Sequence, residues 1–189
     1  MKLPDDVTGI GPADTLGGSM DDWPLDSLMG HIVQFHHAHV RRSLTRLELF
    51  LNDVVATEGH RDPRLQTLAG VFREVASQLL QHMEEEENVL FPAVRDLLQN
   101  GGRGKAAPDM AVTLAALEAE HAEAEDALAK ARELTDDFTP PKGANDAYRQ
   151  LLKGLAALDA DLHQHAHKEN DILFPRLRAY ASGVCTVGD

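Results

Sequence analysis

A histidine recurs at a core position in each of four helical stretches, and a chain that buries four imidazoles must give them something to bind. The pattern is fullest in two segments, LLQHMEEEENVLFP (79–92) and DLHQHAHKENDILFP (161–175). Their histidines, His82 and His165, stand 83 positions apart. Each is followed one turn later by a glutamate, Glu86 or Glu169, and then by an apolar run ending in Phe-Pro. Residues i and i+4 share a helix face, so each pair presents a nitrogen and an oxygen in one direction.

The surrounding periodicity predicts four long helices, over 27–57, 64–99, from Asp109 to about 135, and 145–180. Asp26 or Ser27 is expected to cap the first, Asp109 the third, and Pro92 to bend the second. TEGHRDPR, NGGRGKAAPD and DDFTPPKGAN supply the breaks. Connections this short make an all-α, up-down-up-down four-helix bundle. Apolar seams run at alternating three- and four-residue steps. They are Val33, His37, Val40, Leu44, Leu47, Leu51; Phe72, Val75, Leu79, His82, Glu86, Val89; Met110, Leu114, Leu117, His121, Ala124, Leu128; and Leu151, Leu155, Leu158, Leu162, His165, Glu169, Ile172.

Two intervals, 45 residues from His37 to His82 and 44 from His121 to His165, point to an internal duplication with pseudo-twofold packing. Each half would give a histidine from its first helix and His-x-x-x-Glu from its second. A buried imidazole or carboxylate costs several kcal/mol unless it is paired or ligates metal. His37, His82, His121, His165, Glu86 and Glu169 are too many donors for one tetrahedral zinc, and mixed nitrogen and oxygen ligation suits iron. Two irons per chain would each take two histidines and share both glutamates, with an oxo, hydroxo or water bridge and room for a small ligand. Manganese, cobalt or zinc could occupy the same donors in a non-native way.

Other polar residues compete for roles. His36 is the second choice for the first ligand, otherwise packing at the helix flank, and His39 turns further away. His163 and His167 are expected on the surface, and His31 and His60 make no comparable case. Arg41 could counter a glutamate near the site. Glu120 could line an access route and Glu125 could face inward, while Glu84, Glu85 and Glu87 read as solvated flank.

Composition narrows the classes of function. Aromatics are 5% of residues and the formal net charge is −13, spread along the chain, which argues against nucleic acid or an anionic membrane as partner. A single cysteine, Cys185, precludes an internal disulfide framework. The amino terminus carries Pro, Gly and Asp where a signal peptide needs an apolar stretch, and no membrane-spanning run exists, so a cytoplasmic location is expected. The expected organisation is a flexible leader over 1–22, one domain over 23–180 and a flexible tail over 181–189.

HHAHVRRSL, HMEEEENVLFP, EAEHAEAEDAL and LHQHAHKENDILFPRL, in that order, resemble the signature stretches of the hemerythrin-like superfamily. The resemblance spans about 23–178 and is nearest the di-iron branch that repairs iron–sulfur centres, the RIC proteins. ARELTDDFTPPKGAN is similar to that branch's link into the fourth helix. The resemblance implies a di-iron centre with His37, His82, His121 and His165 as nitrogen ligands and Glu86 and Glu169 as bridges. The fifth histidine and aspartate bridge of the oxygen carriers have no counterpart here. The branch often has a small leading domain with a vicinal cysteine pair, and a cysteine where Asn145 stands; this sequence has neither, so thiol-based sulfur handling is not expected.

The implied function is a non-haem di-iron protein of the oxidative or nitrosative stress response that assists iron–sulfur cluster repair by donating iron. The alternatives are an O2-, NO- or peroxide-binding sensor and an enzyme consuming peroxide or NO. Expected partners are therefore a diatomic ligand or peroxide and iron–sulfur proteins, for a chain acting as monomer or homodimer.

Overall fold

A computed structural model describes residues 19–100 and 107–181, with backbone alone at 107–109. The leader up to residue 18, the tail beyond 181 and Cys185 lie outside the described residues. Within what is described, Met20–Asp22 forms a 3-10 turn and everything after it is helical or connecting. Four rods result. The first is α1 (Leu25–His31), a π-helical turn (Ile32–His37) and α2 (Ala38–Glu58). The second is α3 (Arg64–Glu85), a π turn (Glu86–Leu90) and α4 (Phe91–Gln99). The third is α5 (Ala107–Leu134), unbroken. The fourth is α6 (Asp146–His167), a π turn (Lys168–Leu173) and α7 (Phe174–Ala181).

The rods pack as an antiparallel four-helix bundle, with α2 against α6 and α3 against α5. One close approach is visible at Gly154, where an added Cβ would stand 2.6 Å from Leu47 Cδ2. Two helix starts differ from expectation. The first rod begins at Leu25 behind Pro24, leaving Asp26 in the first turn to pair with Arg95 at 2.6 Å. The third begins at Ala107, so Asp109 is within the helix instead of capping it. Asn145 does cap α6: its carbonyl oxygen accepts from the Tyr148 amide at 2.8 Å while its amide donates to Glu58 at 3.0 Å. The link before it holds Asp136, Asp137 and Phe138 in the left-handed region, a costly run stabilised by Thr135, whose hydroxyl accepts from the Phe138 amide.

The three π turns correct the expected seams. A π turn inserts one extra residue into the helical repeat, so every position beyond it changes face. Val89, expected in the core, is 57% exposed, and Leu90 is buried in its place. Likewise Ile32 and Leu173 are fully buried where Val33 and Ile172 were expected. The wide turn at 32–37 also brings consecutive residues inward, so His36 is buried beside His37 and does not lie at the flank.

The core has two apolar clusters. One unites α2, α3, the second half of α5 and α6, from Val40 and Leu79 to Leu128 and Leu162. The other unites α1, α4, α7 and the start of α5, including Leu28, Phe91, Leu114 and Phe174. On every rod the polar core residues fall between the two. His37, His82, Glu86, His121, His165 and Glu169 thus form one polar layer across the bundle.

Candidate metal centre

Local sequence explains how the layer is assembled. The repeated Phe-Pro places a proline in the second position of α4 and α7, where helix resumes after a π turn. The phenylalanines before it floor the site. Phe91 stacks on His37 with ring centroids 6.3 Å apart, and Phe174 on His121 at 6.0 Å. The Phe-Pro motif is visible in the sequence, but the packing of its rings on the imidazoles is not.

All six expected donors converge. Two overlapping groups of potential ligand atoms lie within 4.8 Å of one another: His37, Glu86, His165, Glu169, and His82, His121, His165, Glu169. Glu86 also reaches the second group, since its Oε2 is 3.5 Å from His82 Nε2. It is 3.2 Å from His37 Nε2. Glu169 Oε1 is 2.8 Å from His165 Nε2, and its Oε2 is 3.0 Å from His121 Nε2. The glutamates therefore stand between a His37/His165 pair and a His82/His121 pair. All are buried except His121, whose side chain is 9% exposed.

These approaches leave much of the layer's hydrogen-bonding capacity unused. Both oxygens of Glu86 and of Glu169, His37 Nε2 and both ring nitrogens of His165 are buried without a hydrogen-bond partner. Buried polar atoms are almost always satisfied, so a cluster of orphans facing one point needs a cation. His82 and His121 make the same point. Their Nε2 atoms are 3.0 Å apart, while His82 Nδ1 faces a carboxylate that can only accept. The His82 proton therefore sits on Nδ1, and its Nε2 lone pair points at His121. The donor set fits a metal.

The outer nitrogens reveal the second half of the design. His37 Nδ1 donates to Glu87 at 2.7 Å, His82 Nδ1 to Glu120 at 2.7 Å, and His121 Nδ1 to Asn170 at 2.9 Å. Such partners fix the tautomer and aim the inner nitrogen. Arg41 donates to Glu87 at 2.7 Å, so it anchors that partner. Glu87 was expected on the solvated flank and is instead half-buried in the site. Glu125 was weighed as an inward carboxylate, but it is exposed and pairs with His163 at 3.1 Å. His167 is on the surface with Asp171, His60 is exposed, and His39 meets Ser43 at 3.3 Å. His31 meets Trp23 edge-on, ring centroids 5.3 Å apart, and lies tilted against Phe35 at 4.7 Å. Glu87 and Asn170 each follow a site glutamate by one residue, so superposing the two repeats would have found both.

Protonation in the metal-free layer is uneven. Burial, and then repulsion from Glu169, pushes Glu86 well above the ordinary carboxylate range. Burial acts on Glu169 in the same sense but is outweighed by His165 and His121, which hold it well below that range. Burial lowers His37 to about 4, assisted by His165, and lowers His82 as well. His121 is raised, because its bond to Glu169 overcomes the effect of burial.

One side of the layer is open. A cavity of about 110 Å³ lies against it, lined by Gln78, Gln81, His82, Glu120, His121 and Glu123 among others.

The model of the hemerythrin HHE cation-binding domain matches residues 29–178. The chain belongs to the hemerythrin HHE family. Within this family it is similar to the iron–sulfur cluster repair protein YtfE of Yersinia pseudotuberculosis (strain PB1/+), with 34% identity over 161 residues, covering 84% of this chain and 69% of the relative. YtfE of Yersinia pestis (strain Pestoides F) matches with the same identity and coverage. The hemerythrin-like bundle here thus lies close to the repair branch of its family. Among the described residues, no helix is long and apolar enough to cross a membrane.

Proposed function

We propose that this hemerythrin-family bundle is a cytoplasmic di-iron protein that assists repair of iron–sulfur clusters under oxidative or nitrosative stress by giving up iron. The observation that carries the reading is the layer of orphaned carboxylate and imidazole atoms in a chain similar to repair proteins. His37 and His165 would hold one iron, His82 and His121 the other, with Glu86 and Glu169 shared. When bound, the two irons, joined by these carboxylates and an oxo or hydroxo bridge, would supply a valence change and open positions for O2, NO or peroxide.

The protein's own part is orientation and release. Glu87, Glu120 and Asn170 aim three imidazoles, and the stacked phenylalanines keep water from the floor of the layer. Glu86, with the longer imidazole contacts at 3.2 and 3.5 Å, would be the more loosely held of the two shared carboxylates. Glu120, 39% exposed on its side chain, marks a polar passage between the layer and solvent.

Incubating iron-loaded protein with an apo-ferredoxin should restore the cluster faster than the same concentration of free ferrous iron. Equal rates would defeat the donor reading. A second reading is favoured by the small cavity beside His82 and His121, whose size suits a diatomic molecule or peroxide. It makes the protein a sensor or an enzyme consuming NO or peroxide. Many turnovers per site without loss of iron would select the enzyme.

A further inference from the structure

The four inward imidazoles are not backed alike at their outer nitrogens. His82 Nδ1 donates to Glu120 at 2.7 Å, and no basic side chain pairs with that carboxylate among the described residues. His121 Nδ1 donates to the neutral amide oxygen of Asn170 at 2.9 Å. His37 Nδ1 donates to Glu87 Oε1 at 2.7 Å, but the Arg41 guanidinium donates to the same oxygen at the same distance. His165 Nδ1 is buried with no hydrogen-bond partner.

An acceptor behind an imidazole raises its basicity and strengthens its bond to a metal, and a charged acceptor does more than a neutral one. The His82/His121 pair has one uncompensated carboxylate and one amide behind it. The His37/His165 pair has a single carboxylate, whose charge Arg41 offsets. Water screens Glu120 in part, since its side chain is 39% exposed, but a guanidinium at 2.7 Å opposes the charge of Glu87 directly. The inner carboxylates do not cancel the difference, because each touches one histidine of each pair. Glu86 is 3.2 Å from His37 and 3.5 Å from His82, and Glu169 is 2.8 Å from His165 and 3.0 Å from His121.

Resting on the reading of the six residues as metal ligands, we infer that the two metal positions differ in affinity. The His82/His121 position is the tighter, and Arg41 is a positioning residue that, through Glu87, keeps the His37/His165 position weak. His37 and His165 would then cede their metal first, while His82 and His121 would keep theirs against the cavity, where a small ligand would meet it. One chain could so give up metal and still retain a ligand-binding position.

Zinc, a diamagnetic probe, should fill the full chain in two steps. In nitrogen-15 spectra the first equivalent should shift the Nε2 signals of His82 and His121 and leave those of His37 and His165. Glu120→Leu should weaken the tighter position by about 10- to 100-fold in chelator competition. Arg41→Gln keeps a donor and removes the charge, so it should strengthen the weaker position by about tenfold, with Arg41→Lys close to wild type. Simultaneous shifts at all four imidazoles, first filling at His37 and His165, or no gain at the weaker position in a folded Arg41→Gln would overturn the inference. A wild-type chain that binds fewer than two zinc ions would instead overturn the ligand reading beneath it. The filling order is read in the wild type, so it decides the matter even if a variant does not fold.

Discussion

Glu86 and Glu169 occupy the same place in the two repeats, yet in the metal-free layer one is driven toward its protonated form and the other toward its ionised form. Burial is equally severe for both, so it does not separate them. Distance does. Glu169 has imidazole nitrogens at 2.8 and 3.0 Å, whereas those near Glu86 are at 3.2 and 3.5 Å. Once Glu169 is ionised its charge acts against ionisation of Glu86. Two chemically identical residues are thus biased in opposite directions in the metal-free layer. The halves differ in surroundings too: a cavity lies against His82 and His121, while His36, with Asp161 at 3.3 Å and Lys168 at 2.8 Å, packs beside His165.

The largest effect expected from this asymmetry is on metal content. Glu169→Ala should reduce bound iron well below two per chain, and Glu86→Ala should retain more, because Glu169 stands 2.8 and 3.0 Å from its imidazole nitrogens and Glu86 3.2 and 3.5 Å. Elemental analysis of protein from iron-supplied cells checks this; equal losses would erase the asymmetry. His82→Ala should also fall well below two.

The π turn behind Glu86 can be tested on stability. Leu90→Ala should cost about 2–5 kcal/mol in denaturant unfolding, as for other buried leucines, and Val89→Ala less than about 0.5. The reverse order would restore the uninterrupted helical seam.

A third effect concerns pH. His37, lowered to about 4, is neutral in the metal-free fold but takes a proton near 6.5 when unfolded. The unfolded chain therefore binds more protons between those values, and stability falls as pH falls through that window, levelling below the folded value. Relative to His37→Gln, wild-type apoprotein should lose roughly 3 kcal/mol between pH 6.5 and 4. The difference isolates His37 from His121 and Glu86, whose raised values act in the opposite sense. A flat difference would mean that the His37 ring is charged in the fold.

The smallest effect is expected at Asn170. Asn170→Asp would give His121 a carboxylate like the Glu87 that serves His37, and should change metal affinity less than about tenfold in chelator competition. A larger change would make the amide a deliberate part of the difference between the halves.

The four rods, the duplication and all six inward donors were legible in the amino-acid sequence, because a bundle core demands a seam at 3.6-residue spacing and polar residues on that seam stand out. Local turn chemistry was less legible. The first and third rods begin at Leu25 and Ala107, upstream of Asp26, Ser27 and Asp109, whose side chains suit a cap in isolation. The outer partners were hidden for another reason. Glu87 reads as one more member of a charge run, and Asn170 as an ordinary polar residue on a helix flank.

Tertiary structure alone decided the phase after each π turn, and with it the burial of His36 and Leu90 and the exposure of Val89. It also decided which imidazoles pair across the bundle and which glutamate stands closer to them. Periodicity states which face of a helix is apolar. It carries no information on an extra residue in one turn, or on the few tenths of an ångström in side-chain placement that separate Glu169 from Glu86.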